Sequence, residues 1–127
     1  MKTFTLSLVL IFFSLASAKA QEVVNDSLPR HAVGLDVPPE YPGGVNAFLT
    51  YVATNLKGIR TKSTGRILVS FVIEKDGSVS NVRIVRSLEE SVDKKVIKVI
   101  KNSPRWKPGE QNGKLVRVSY SLPLKIG

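Results

Sequence analysis

The chain contains no cysteine, and only one methionine, one tryptophan and one histidine. Without cysteine there are no disulfides, no thiolate metal ligands and no lipid on an N-terminal cysteine, so a lipoprotein is excluded. The one histidine, His31, lies in a polar stretch with no Asp or Glu at ligand spacing, and neither metal nor cofactor is expected. Acids are scarce: 10 Asp+Glu stand against 19 Lys+Arg, a formal net charge of +9. Adjacent carboxylates occur only as Glu89-Glu90, where a helix start accounts for them. No constellation suited to general acid–base or nucleophilic catalysis remains, and an enzyme is not expected. What is present is a length of 127 residues, enough for one domain, and a hydrophobic fraction of 43%, enough for a core.

The N-terminus "MKTFTLSLVLIFFSLASAKAQ" reads as a leader. Lys2 precedes an apolar run from Phe4 to Leu15, and Ala18-Lys19-Ala20 fits the small-residue cleavage rule. The competing reading is an uncleaved membrane anchor; cleavage is favoured over it because the run is short of the roughly 20 apolar residues that span a bilayer. The expected organisation is a signal peptide over 1–20, a flexible lead-in over 21–38 and a folded domain over 39–127. The leader implies export, which argues against nucleic acid as its partner. A basic surface would instead attract acidic peptides or anionic surfaces.

"PEYPGG", Pro39–Gly44, is strong punctuation. Beyond it, Val45, Phe48, Leu49, Val52 and Leu56 share one helical stripe, predicting a helix over Val45–Lys57. Gly58–Thr64 is a basic loop, and Arg60, Lys62 and Arg66 form a loose basic patch. Gly65–Glu74 alternates as a strand, with Ile67, Val69, Phe71 and Ile73 on one face. Asp76-Gly77 predicts a tight hairpin with positive φ at both turn positions. Val79–Arg86 returns as a strand with a bulge near Ser80-Asn81. Ser87–Asn102 is a second helix, with Ser87 and Glu90 at capping-box spacing and Val92, Val96, Val99 and Ile100 buried. Its lysines, Lys94, Lys95, Lys98 and Lys101, form a solvated face and account for much of the positive charge. After turns at Pro108-Gly109 and Asn112-Gly113, Lys114–Leu124 is the last strand. In it Val116, Val118, Tyr120 and Leu122 face the core, and Arg117, Ser119 and Ser121 face outward. Pro123 suits an edge strand or a strand end. The order α-β-β-α-β predicts an α+β two-layer sandwich, a three-stranded antiparallel sheet with two helices on one face.

Several motifs have blander readings. Ser91-Val92-Asp93-Lys94 matches S-x-x-K, but its S-D-N and K-T-G partners are absent and Val92 belongs to the buried stripe. "GEQNGK", Gly109–Lys114, lacks the spacing and the Ser/Thr of a phosphate loop and reads as a turn. Trp106 reads as a plug at the end of the core rather than a stacking platform.

Taken together, "PEYPGG", "GRILVSFVIEKDGSVSNVRIVRS" (Gly65–Ser87), the helix carrying Val92, Asp93, Val96 and Val99, and "PRWKPGEQNGKLVRVSYSLPL" (Pro104–Leu124) resemble the TonB C-terminal domain family. The resemblance implies a coupler between an inner-membrane motor and outer-membrane receptors in energy-coupled transport. It implies that a short extended segment of a TonB-dependent receptor is held by strand addition to the last strand. On this chain the implied partner-binding residues are Arg117, Val118, Ser119, Tyr120, Ser121 and Leu122. Two departures stand out. "NLKGIRTKSTGRILV" leaves no room for a second Tyr-Pro-containing helical stretch common in the family, and the leader reads as cleavable where a full TonB keeps an anchor and a long proline-rich spacer. An inner-membrane motor is therefore not an expected partner. Other readings are a basic envelope-structural domain docking on peptidoglycan or anionic surfaces through Lys94, Lys95, Lys98 and Lys101, and a regulatory decoy that occupies receptor segments without force. An exposed edge strand also leaves a homodimer open.

Overall fold

The computed structural model describes residues 29–59 and 63–127. The expected signal peptide, the first part of the lead-in, and Arg60 and Lys62 of the basic patch lie outside the described residues.

The described elements run β1 (Arg30–His31), α1 (Val45–Asn55), β2 (Gly65–Ile73), β3 (Val79–Arg86), α2 (Glu90–Lys101), β4 (Gly109–Gln111), β5 (Lys114–Val116) and β6 (Val118–Ile126). The main sheet has the order β1-β6-β2-β3, and β4-β5 form a separate hairpin. The α+β architecture expected from the hydrophobic periods is present. Ile67, Val69, Phe71 and Ile73 of β2 and Leu122, Leu124 and Ile126 of β6 enclose one core with Phe48 and Val52 of α1 and Val92, Val96, Val99 and Ile100 of α2. Alternation on the strands and 3.6-residue spacing on the helices turn these residues toward one another. Trp106 is buried among Tyr41, Phe48, Phe71 and Tyr120, with ring centroids between 4.9 and 5.8 Å away. Its indole N–H donates to Ser103 Oγ at 3.2 Å. This is the plug expected of it.

The strand inventory differs from expectation in three ways. First, the sheet gains a fourth, very short strand: Arg30 and His31 pair in parallel with Val118 and Ser119, making the sheet mixed. A two-residue strand has no hydrophobic period, so the sequence does not announce it. Second, the last strand is broken at Arg117. Lys114–Val116 turns back on Gly109–Gln111, while Val118–Ile126 joins the main sheet. The β4-β5 turn has Asn112 at φ 52 and Gly113 at φ 75, the paired left-handed residues that a two-residue hairpin favours. Third, Pro123 lies within β6, opposite Leu68, and the strand continues to Ile126.

Two local expectations are corrected. The β2-β3 turn is longer than two residues: Glu74 N–H donates to the Ser78 carbonyl at 2.8 Å and Gly77 N–H to the Glu74 carbonyl at 2.9 Å. Gly77 has φ 84, while Asp76 stays at negative φ and instead accepts from the Ser78 N–H at 2.9 Å. An Asp side chain bonding two residues on competes with the tight-turn geometry. The capping box is also absent. α2 begins at Glu90 with Glu89 as N-cap and no side-chain cap bond, and Ser87 Oγ donates to Asp93 Oδ2 instead. The bulge foreseen near Ser80-Asn81 is present: pairing slips between Ser70–Arg83 and Val72–Ser80, with Asn81 at φ 47.

Candidate partner-binding edge of the sheet

The sheet has two outer sides, and they differ. β3 borders one. Its pairing slips twice, and it carries the exposed Arg83 and Arg86. Bulges and charge are the devices that stop an edge from accepting another strand. β6 borders the other side and pairs with β2 residue for residue from Ile73–Val118 to Gly65–Ile126, without a slip. Such a regular, unslipped strand is the better template for a guest.

Backbone geometry fixes which β6 residues face outward from the sheet edge. The Arg30 N–H donates to the Arg117 carbonyl at 2.8 Å, so the polar groups of Arg117 point away from β2. Backbone polar groups alternate along a strand. Ser119, Ser121, Pro123 and Lys125 therefore face the edge, and Val118, Tyr120, Leu122 and Leu124 bond toward β2. Pro123 has no N–H to offer. Among the described residues, the edge beside Tyr120–Ile126 carries no neighbouring strand.

The six residues named from the sequence thus divide. Val118 and Leu122 are buried and bond inward, so they hold the strand in place. Tyr120 is half-buried, its ring 5.6 Å from Phe71 and 5.3 Å from Trp106. Ser119 and Ser121 turn their side chains to the face away from the helices and their backbone to the edge. Arg117 is held by Glu74: its Nε donates to Oε2 at 2.9 Å and its terminal nitrogen to Oε1 at 2.9 Å. Ser80 Oγ donates to the same carboxylate at 2.8 Å. The bonds from Arg117 hold the Glu74 carboxyl below its usual range. The same bonds raise the Arg117 guanidinium. This forked pair fixes the kink where β5 passes into β6.

Beside the edge lies a groove that the sequence did not reveal. Between α1 and the end of β6, Leu49, Val52, Ala53, Leu56, Pro123 and Leu124 line a space of about 380 Å³, with Arg66 and Lys125 at its rim. A second hollow of about 340 Å³ continues it past Ile59, Val92 and Ile126. A strand added to β6 would place every second side chain on the helix face, over this groove. Only tertiary packing sets α1 beside this strand. Leu49 and Leu56, lying on the predicted stripe yet only half-buried, are the trace it leaves in the sequence.

A family model described as the Gram-negative bacterial TonB protein C-terminal matches residues 57–125. The chain belongs to the TonB C-terminal family, whose members are non-enzymatic, transport-associated periplasmic domains. Among solved structures it is similar to the Helicobacter pylori TonB C-terminal domain determined by NMR in solution, at 23% identity over 68% of this chain and 87% of that one, with a TM-score of 0.37. Comparison with curated proteins gives no match.

Proposed function

We propose that this chain is an exported, periplasmic TonB-like binding module that captures an extended segment of a TonB-dependent outer-membrane receptor on the β6 edge. The observation that carries the reading is the juxtaposition of an unslipped edge strand with an apolar groove. In this reading Arg117, Ser119 and Ser121 supply the edge, Val118, Tyr120 and Leu122 fix it, and Pro123 to Lys125 extend it along the groove.

Magnitudes say which part decides affinity. A backbone hydrogen bond contributes about 0.5–1.5 kcal/mol net. Ordering a flexible guest costs about 1–2 kcal/mol per residue. These nearly cancel. Burying one Leu- or Val-sized side chain contributes about 1.5–3 kcal/mol. The guest is therefore a segment with apolar side chains at alternate positions, and the groove selects it. Binding of this kind is reversible, as a coupling step in transport requires.

The test is the affinity of a synthetic peptide copying a receptor's N-terminal segment, measured in low salt and at about 0.5 M salt. Strand addition predicts less than a threefold change. Binding through the Lys94–Lys101 face predicts collapse, because exposed charges are screened over a few ångströms at such salt. That collapse would overturn the proposal in favour of charge-based docking.

A further inference from the structure

The chain lays a piece of itself on the proposed docking strand. Arg30 and His31 pair in parallel with Val118 and Ser119, and the Arg30 N–H bonds to the Arg117 carbonyl at 2.8 Å. Parallel pairing of Arg30 with Val118 also directs the Ser119 N–H at the Arg30 carbonyl. These are the backbone groups that a guest strand would use at that end of the edge.

Among the described residues, the segment is clipped at one end and held at the other by the β1 pairing alone. Val37 and Glu110 exchange backbone bonds at 3.1 and 2.8 Å, and Glu40 and Lys107 at 3.0 and 2.7 Å. Asp36 adds two more, accepting from the Asn112 N–H at 2.8 Å and donating its own N–H to Gln111 Oε1 at 3.0 Å. Between this clip and β1 lie Val33, 92% exposed, and Gly34 at φ 84, where an added Cβ would meet nothing within 4 Å. Part of the stretch read from sequence as a lead-in is thus a strap. It has a base bonded through Asp36–Glu40, a glycine at positive φ and a two-residue tip paired with β6.

We infer that this strap is a built-in competitor: Pro29–Gly34 closes the Arg117–Ser119 end of the β6 edge and a guest strand must displace it to occupy the whole edge. The inference rests on β6 being the docking strand. The tip suits the task because, among the described residues, it makes few bonds and buries little. Its fixed base keeps it at high local concentration beside the strand. Guest affinity is then reduced by the fraction of molecules with the edge open. Among the described residues no strand covers the groove end, Ser121–Lys125, so a guest enters there and the strap yields last.

Two variants of the full chain test this. Arg30→Pro removes the N–H given to Arg117. Gly34→Val places a branched side chain where φ is 84 and moves the tip without touching the edge. Both lie away from the core. Amide hydrogen exchange of Ser119 reports the strap without any guest, and titration with the receptor-segment peptide reports competition. The expected result is at least about tenfold faster Ser119 exchange in both variants and a Kd lowered about 3- to 10-fold, the range for losing one or two exposed backbone bonds. Equal Ser119 exchange in all three proteins would show that there is no strap in solution and overturn the inference. So would an unchanged Kd with the peptide seated on β6. A peptide that bypasses β6 in all three proteins overturns the docking reading and with it the competition, while Ser119 exchange still shows whether the strap forms.

Discussion

The hairpin tip and the core tryptophan touch through their backbones: Trp106 N–H donates to the Gly77 carbonyl at 2.8 Å. A Cβ on Gly77 would lie 2.0 Å from the Trp106 carbonyl oxygen. Gly77 also has φ 84, so two independent reasons demand glycine there. Gly77→Ala is expected to cost about 2–4 kcal/mol in urea denaturation, from strained φ plus a clash with backbone that cannot rotate away. Gly113→Ala makes the control. Its φ is 75 but nothing lies within 4 Å of the added Cβ, so only about 1–2 kcal/mol is expected.

The Glu74–Arg117 pair makes stability depend on acid. The Glu74 carboxyl is held low, first by hydrogen bonds from Arg117. A carboxyl with a folded pKa below its unfolded value binds protons more readily when unfolded, so its contribution is complete above the usual carboxylate range of about 4.3. That contribution is lost as pH falls through the lowered value. Both partners are about a quarter exposed, which limits the pair to about 1 kcal/mol. Wild type should exceed Glu74→Gln by that amount at pH 7, and the difference should shrink as pH falls through the lowered Glu74 range. Asp76 is also held low, first by its bond from the Ser78 side chain, and the paired comparison cancels its share.

If the groove selects the guest, filling it should block binding without unfolding the protein. Ala53 is exposed on α1 and lines both hollows. Ala53→Phe is expected to change stability by less than about 0.5 kcal/mol, as exposed helix positions usually do. It should weaken the receptor-segment peptide at least about tenfold, the loss of one buried apolar side chain. Unaltered peptide affinity would show that the guest does not use the groove.

Much of the architecture was legible because single residues answer to one strong constraint. Ile67, Val69, Phe71 and Ile73 could only alternate into a core, and Val92, Val96, Val99 and Ile100 could only form a helix stripe. Trp106 read as a plug from its place between two elements. The capping box failed because Ser87 found Asp93, a competition between two acceptors that spacing does not decide. The strap and the groove escaped for another reason. β1 depends on backbone bonds that any residue makes, and the groove depends on where α1 rests against β6. The ion pair between Arg117 and Glu74 was not legible either, because the two lie 43 residues apart in sequence and only the fold brings them together.

The most direct test of the account is a backbone NMR titration of the isotope-labelled full chain with the receptor-segment peptide. The account predicts that the largest shifts fall on the amides of Ser119, Ser121 and Lys125 and on Ala53 and Leu56 of α1, with new exchange protection at Ser121. Shifts confined to Lys94–Lys101 of α2, or to the β3 edge at Arg83 and Arg86, would contradict it.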